Sequence, residues 1–179
     1  MSLPNRKTSL IAKNGIYVAL AFLFSYIEAL FPLPIPFPGV KLGLANLVII
    51  IILYRDGFFN ALGISLVRNL LNALTFGSLF GLFYSLAGSI LSLLAMWGLK
   101  SLYDYLGKRN KEKTSSPTDS LITVSMLGGI IHNGGQFLVA VLLVTLDSVI
   151  RYLPFLYFAG LIAGLLIGIV AKLVIRRIK

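Results

Sequence analysis

Long apolar runs separated by short polar breaks fill most of this 179-residue chain, and they decide what it can fold into. The runs read as six helices, at about 15–31, 42–54, 58–75, 79–99, 121–146 and 153–175. A helix that crosses hydrocarbon needs roughly 20 mostly apolar residues, somewhat fewer where protein buries part of it. Between the first two runs lie Pro32, Pro34, Pro36 and Pro38, which remove backbone donors and fix φ, so that stretch is not helical. Arg55-Asp56-Gly57 reads as a tight polar turn, and Gly77-Ser78 interrupts the run that follows. The second run is the shortest, and fits a tilted span, a re-entrant piece or a buried half-helix. Residues 100–120 hold Lys100, Lys108, Arg109, Lys111 and Lys113 and read as a solvated loop between two halves. The expectation is an all-α integral membrane protein, one domain over 1–179.

Composition agrees. The chain is 58% hydrophobic and 12% charged, with a mean hydropathy of +0.92. A soluble domain carries about twice that share of charge. The N-terminal stretch reads as continuing into membrane rather than as a cleaved leader, because no small-x-small site precedes a soluble region. Sixteen Lys+Arg against six Asp+Glu give a net charge of +10. The basic residues flank the apolar runs, so they report orientation in a bilayer and leave no basic, aromatic surface for nucleic acid. With six spans, one side carries Arg6, Lys7, Lys13, Arg55, the basic loop 100–120 and the C-terminal Lys172, Arg176, Arg177 and Lys179. The other carries only Lys41 and Arg151. The positive-inside rule then expects both termini in the cytoplasm of a cell with the chain in its inner (plasma) membrane.

Polar groups at membrane depth need a reason to be there. Arg68 lies in the middle of the third run, where a charge costs about 2.5–3.5 kcal/mol on insertion scales. Ser65, Arg68 and Asn72 share one helix face, with Asn69 beside them. In the fifth run Ser125, Gly129, His132 and Gln136 share a face, with Asn133 alongside and Gly134-Gly135 thinning the helix. Glu28 and Asn46 fall near the outer ends of the first two runs, and Lys41 in the outer loop. Up-and-down topology puts these groups in one layer between the midplane and the outer surface. The functional reading is an outward-facing pocket for a small anionic or polar substrate, with Arg68 offering a bidentate fork to a carboxylate or phosphate. The structural alternative pairs Arg68 with Glu28 and uses the amides as glue between helices.

Stripes of small residues allow close helix approach. Gly160, Gly164 and Gly168 in the last run, and Gly81, Ser85, Gly88 and Ser92 in the fourth, read as internal packing. Gly15 and Ala19, and separately Ala21 and Ser25, offer a partner-docking face on the first helix.

Catalysis has little to stand on. There is no cysteine and one histidine, so thiol chemistry and multi-histidine metal sites are absent from the sequence. No GxxxxGK[ST] loop is present, and the closest acidic residues, Glu112 and Asp119, are too far apart to clamp a metal–diphosphate from one helix turn. No cofactor, metal or catalytic residue is expected.

Several short motifs together carry a family resemblance. They are Pro38-Gly-Val-Lys-Leu-Gly-Leu-Ala-Asn46, Leu66-Val-Arg68-Asn-Leu, Gly77-Ser78, Tyr84-Ser-Leu-Ala-Gly-Ser89 and Gly128-Gly-Ile-Ile-His-Asn-Gly-Gly-Gln136. Across most of residues 10–175 the chain resembles the bacterial Gx transporter family, also described as heptaprenyl diphosphate synthase component I. That family is similar to the substrate-binding S-components of energy-coupling-factor (ECF) transporters. The similarity implies six helices, an outward pocket, a gating loop between the first two helices, and docking through small residues of helix 1 onto a coupling subunit driven by two ATPases. The docking pattern is imperfect here, since Ala19 is followed four residues later by Leu23. The other description implies an accessory membrane component that assists a separate prenyl synthase subunit and binds polyprenyl or diphosphate with Arg68 and Lys41.

Overall fold

In a computed structural model, which describes residues 6–30, 43–76, 79–109, 118, 120–143 and 150–178, each apolar run is a helix. The helices are α1 (Arg6–Leu30), α2 (Leu44–Arg55), α3 (Phe58–Phe76), α4 (Leu79–Arg109), α5 (Leu121–Leu143) and α6 (Leu153–Arg177). A 3₁₀ turn, Ile150–Tyr152, leads into α6, whose Pro154 sits in the first turn where its missing N–H costs nothing. No strand occurs among the described residues. Four stretches, Lys7–Leu30, Leu79–Lys108, Leu121–Leu142 and Ile150–Arg177, are long and apolar enough to cross a membrane.

The two remaining helices differ from these for a physical reason each. α2 has 12 residues, about 18 Å, well short of a hydrocarbon core of about 30 Å. It is apolar all round, as a helix enclosed by protein should be. Val48, Ile49, Ile50, Ile52 and Leu53 are all buried. α3 has 19 residues but carries Asn60, Ser65, Arg68, Asn69 and Asn72.

Two boundaries depart from the hydropathy reading. α1 begins at Arg6 rather than near residue 15, and α4 runs on to Arg109 rather than stopping near 99. Residues 100–109 are therefore helix and not loop. Hydropathy ends where lipid ends, but helix propensity does not. Lys100 Nζ lies 2.7 Å from Asp104 Oδ2 one turn on and 5.3 Å from the centre of the Tyr54 ring, which holds this extension against α2. At the other extension, Lys13 forms an ion pair with Asp56 in the turn between α2 and α3. α5 ends at Leu143; residues 144–149, and 31–42 and 110–117 with them, lie outside the described residues.

The six helices pack in two ways. α4, α5 and α6 meet almost backbone to backbone. A methyl group on Gly129 would sit 2.1 Å from the Gly160 carbonyl oxygen, and one on Gly164 2.5 Å from that of Ser125. Gly135 presses on Ala87 in the same way, at 2.8 Å. The glycine stripe of the last helix is thus consumed in internal packing. Asn133 Nδ2 donates to the Leu156 carbonyl at 2.7 Å and Ser92 Oγ to that of Gly128 at 2.8 Å, adding polar links in a setting where apolar burial alone does not drive association. α1, α2 and α3 pack instead through side chains.

This arrangement sorts the interior into two layers. Towards the end that holds both chain termini the core is apolar: Ala21, Ile52, Ala61, Ile64, Leu93, Met96, Leu121, Val124 and Ala171. Towards the other end, where α1, α3 and α5 finish and α2, α4 and α6 begin, the interior turns polar.

Candidate functional site

Among the described residues Arg68 is the most buried charge in that polar layer, 6% exposed. Its position follows from α3 being a regular helix: Ser65, Arg68 and Asn72 project from one face, and the apolar Ala61 and Ile64 of the preceding turn anchor that face in the core. Its Nη2 donates to Asn69 Oδ1 at 2.8 Å. Asn69, fully buried, is itself held by donating to Ser89 Oγ of α4 at 2.7 Å. This relay orients the guanidinium and leaves its Nε without a hydrogen-bond partner among the described residues. A buried donor in that condition costs about 1–3 kcal/mol.

The guanidinium borders a cavity of about 30 Å³ lined by Ser25 and Glu28 of α1, Gly43 and Asn46 at the start of α2, Arg68 and Asn72 of α3, Ser85 of α4, and His132 and Gln136 of α5. That space holds roughly two water molecules. The carboxylate of Glu28 is close enough to attract the guanidinium. It also accepts a 2.5 Å hydrogen bond from the Gly43 N–H, which places a negative charge at the amino end of α2, where the helix dipole favours it. Gly43 has φ +73°, a left-handed conformation that a side chain resists. Across the cavity Gln136 Nε2 lies 3.2 Å from His132 Nε2. As placed, the amide nitrogen donates and the imidazole Nε2 accepts. Asn72 Oδ1 and Gln136 Oε1, also buried, have no partner among the described residues.

A second cavity of about 20 Å³ adjoins the first and shares Gly43, Asn46 and His132 with it. Its remaining wall is mostly apolar, with Ile50, Met96, Ala163 and Ile167, and glycines of α5 and α6.

Six of the polar residues singled out by sequence therefore line one cavity: Glu28, Asn46, Arg68, Asn72, His132 and Gln136. Asn133 borders only the second cavity, and its amide nitrogen is committed to joining α5 to α6. Lys41 and the proline-rich gate lie outside the described residues. The docking face read on helix 1 divides between exposed and inward residues. Gly15 and Ala19 are exposed, but Ala21 is fully buried in the apolar core and Ser25 faces the polar cavity. A 100° rotation per residue turns Ala21 inward, while Ser25 is half-buried at the cavity. Ser85 and Gly43 were not anticipated as lining residues. Ser85 sits in the small-residue stripe of α4, and Gly43 immediately precedes an apolar run after a proline-rich segment; both are signals, though of packing and of a helix start.

Chemically, this is a place to hold a small polar group. It presents a fixed cation, a carboxylate, three amides and an imidazole around a small cavity. Among the described residues no three of His, Asp and Glu gather as they would around a metal ion.

The sequence model of one family, heptaprenyl diphosphate synthase component I, matches residues 17–174. No curated protein matches the chain. No solved structure does either.

Proposed function

The chain belongs to the heptaprenyl diphosphate synthase component I family, and on that premise we propose that it is a non-catalytic membrane subunit that captures a small anionic or polar solute in the Arg68 cavity. In this reading it serves as the solute-binding component of an uptake system of the ECF type. All six helices lie within the bilayer, with α2 and α3 completing the bundle, and both termini face the cytoplasm, as the distribution of Lys and Arg favours. The observation that carries the reading is the unpartnered Nε of a buried arginine beside a cavity. A charge retained at that depth for packing alone would have its donors filled from within the protein. Six helices contribute to the two adjoining cavities, and the polar one lies at the end of the bundle away from the termini, the outer end in this topology.

The family description supports a second reading, an accessory subunit that assists a separate prenyl synthase. Here Arg68 meets a diphosphate instead of an imported solute. Affinity purification of the full chain from its native membranes separates the two. A coupling subunit with two ATPases supports uptake; a prenyltransferase subunit supports the accessory role and overturns the uptake reading. Purified protein whose ligand binding survives Arg68→Met overturns the cavity in both.

A further inference from the structure

The charges and hydrogen-bonding atoms around the polar cavity are of both kinds. Among the described lining residues there is one cation, Arg68, and one carboxylate, Glu28. The buried atoms without partners are also mixed. Arg68 Nε is a donor, while Asn72 Oδ1 and Gln136 Oε1 are acceptors. Arg68 and Gln136 are 6% and 4% exposed, so water from outside does not readily satisfy either. A phosphate or diphosphate is mainly a set of acceptors and carries net negative charge. It would satisfy Arg68, but it would face two amide oxygens and the Glu28 carboxylate with more negative charge. A simple amine would meet the reverse problem at Arg68. A ligand carrying both an oxyanion and an N–H cation meets Arg68 Nε, Asn72 Oδ1 and Gln136 Oε1 at once.

Space and polarity add two limits. The two adjoining cavities, about 30 and 20 Å³, together hold about four waters, so the ligand is small and a prenyl chain is not enclosed. The second cavity is apolar where Ile50, Met96 and Ile167 meet, next to the polar one through Asn46 and His132. That is the layout of a charged head with a short apolar side chain. An α-amino acid is larger than four waters, so it fits only if the side-chain packing of α1–α3 opens on binding.

We infer that the ligand is a small zwitterion of the α-amino-acid kind, its carboxylate on Arg68, its ammonium toward Glu28, Asn72 and Gln136, and its side chain toward Ile50, Met96 and Ile167. This rests on the reading that the Arg68 cavity takes a ligand, and it replaces an anion with a charge-balanced molecule.

The test is binding to the full chain in lipid nanodiscs, with four probe sets at matched concentrations: the twenty standard α-amino acids, their des-amino carboxylates, their decarboxylated amines, and inorganic diphosphate. At least one apolar amino acid should bind, with its carboxylate and amine analogues each at least ten-fold weaker and diphosphate not bound. Glu28→Gln should lower amino-acid affinity at least ten-fold and raise that for the des-amino carboxylate. Because Glu28 also holds Gly43, Gln136→Leu provides a second variant, expected to weaken the amino acid ten-fold and leave the carboxylate analogue unchanged. Absence of binding by every amino acid overturns the inference, as does equal affinity for an amino acid and its carboxylate analogue. If diphosphate or a plain carboxylate binds instead, and Arg68→Met removes it, the zwitterion falls while the cavity reading stands.

Discussion

Replacing Arg68 with methionine should leave the ligand-free protein about as stable as the wild type or more so. Arg68 is 6% exposed, in the middle of a 19-residue helix. A charge at such a depth costs about 2.5–3.5 kcal/mol on insertion scales, and methionine fills most of the same volume without it. Against this, the substitution removes the 2.8 Å hydrogen bond to Asn69 Oδ1, and an acceptor left bare costs about 1–3 kcal/mol. Asn69 keeps its bond to Ser89, and Glu28 keeps its bond to the Gly43 N–H at the amino end of α2. The balance runs from about 0.5 kcal/mol against the variant to about 2.5 kcal/mol in its favour. A purely structural Arg68–Glu28 pair behaves in the opposite way, since truncating one partner of a buried pair costs about 3–5 kcal/mol. Equilibrium unfolding of dialysed, ligand-free protein in a mild detergent, titrated with a denaturing one, distinguishes the two. A loss of 3 kcal/mol or more in Arg68→Met would show that the guanidinium is kept for stability and would refute the argument that it is held ready for a ligand.

Gly129→Ala should lower the thermal midpoint by an amount equivalent to about 1–3 kcal/mol or more, because its methyl group would sit 2.1 Å from the Gly160 carbonyl oxygen and force α5 and α6 apart. Gly98→Ala, with nothing within 4 Å, is the control and should be neutral or stabilising by up to about 1 kcal/mol in the same melt. Gly43→Ala, forced to hold φ +73°, should cost about 1–2 kcal/mol and weaken binding too, since Gly43 borders both cavities. A double-mutant cycle of Lys13→Met and Asp56→Asn should return a coupling of no more than about 1 kcal/mol, because Lys13 is 41% exposed; a larger value would make the turn between α2 and α3 a principal anchor of α1.

The helices and the polar layer were legible in the sequence for one reason: polar residues within membrane-length apolar runs stand out. Alternating helix direction then gives each an approximate depth, which is how Glu28, Asn46, Arg68, Asn72, His132 and Gln136 could be placed together from four separate apolar runs. Rotation about each helix axis was less visible. Ser25 and Ala21 looked like a docking stripe because a small residue reads the same whether it faces lipid, a cavity or a core; only the packing of α1 on α2 and α3 turns them inward. Asn133 stood beside His132 on the text, yet its amide nitrogen reaches the Leu156 carbonyl, a partner from another helix that no spacing indicates. The extensions of α1 to Arg6 and of α4 to Arg109 were missed because hydropathy reports contact with lipid and is silent on helix that continues beyond it.

An experimental structure of the full chain, purified in native lipid with no ligand added, tests the central idea most directly. The guanidinium should be found with non-protein density within hydrogen-bonding distance of its Nε, between Asn72 and Gln136. A guanidinium closed on the Glu28 carboxylate, with the space beside it filled by side chains, would contradict it.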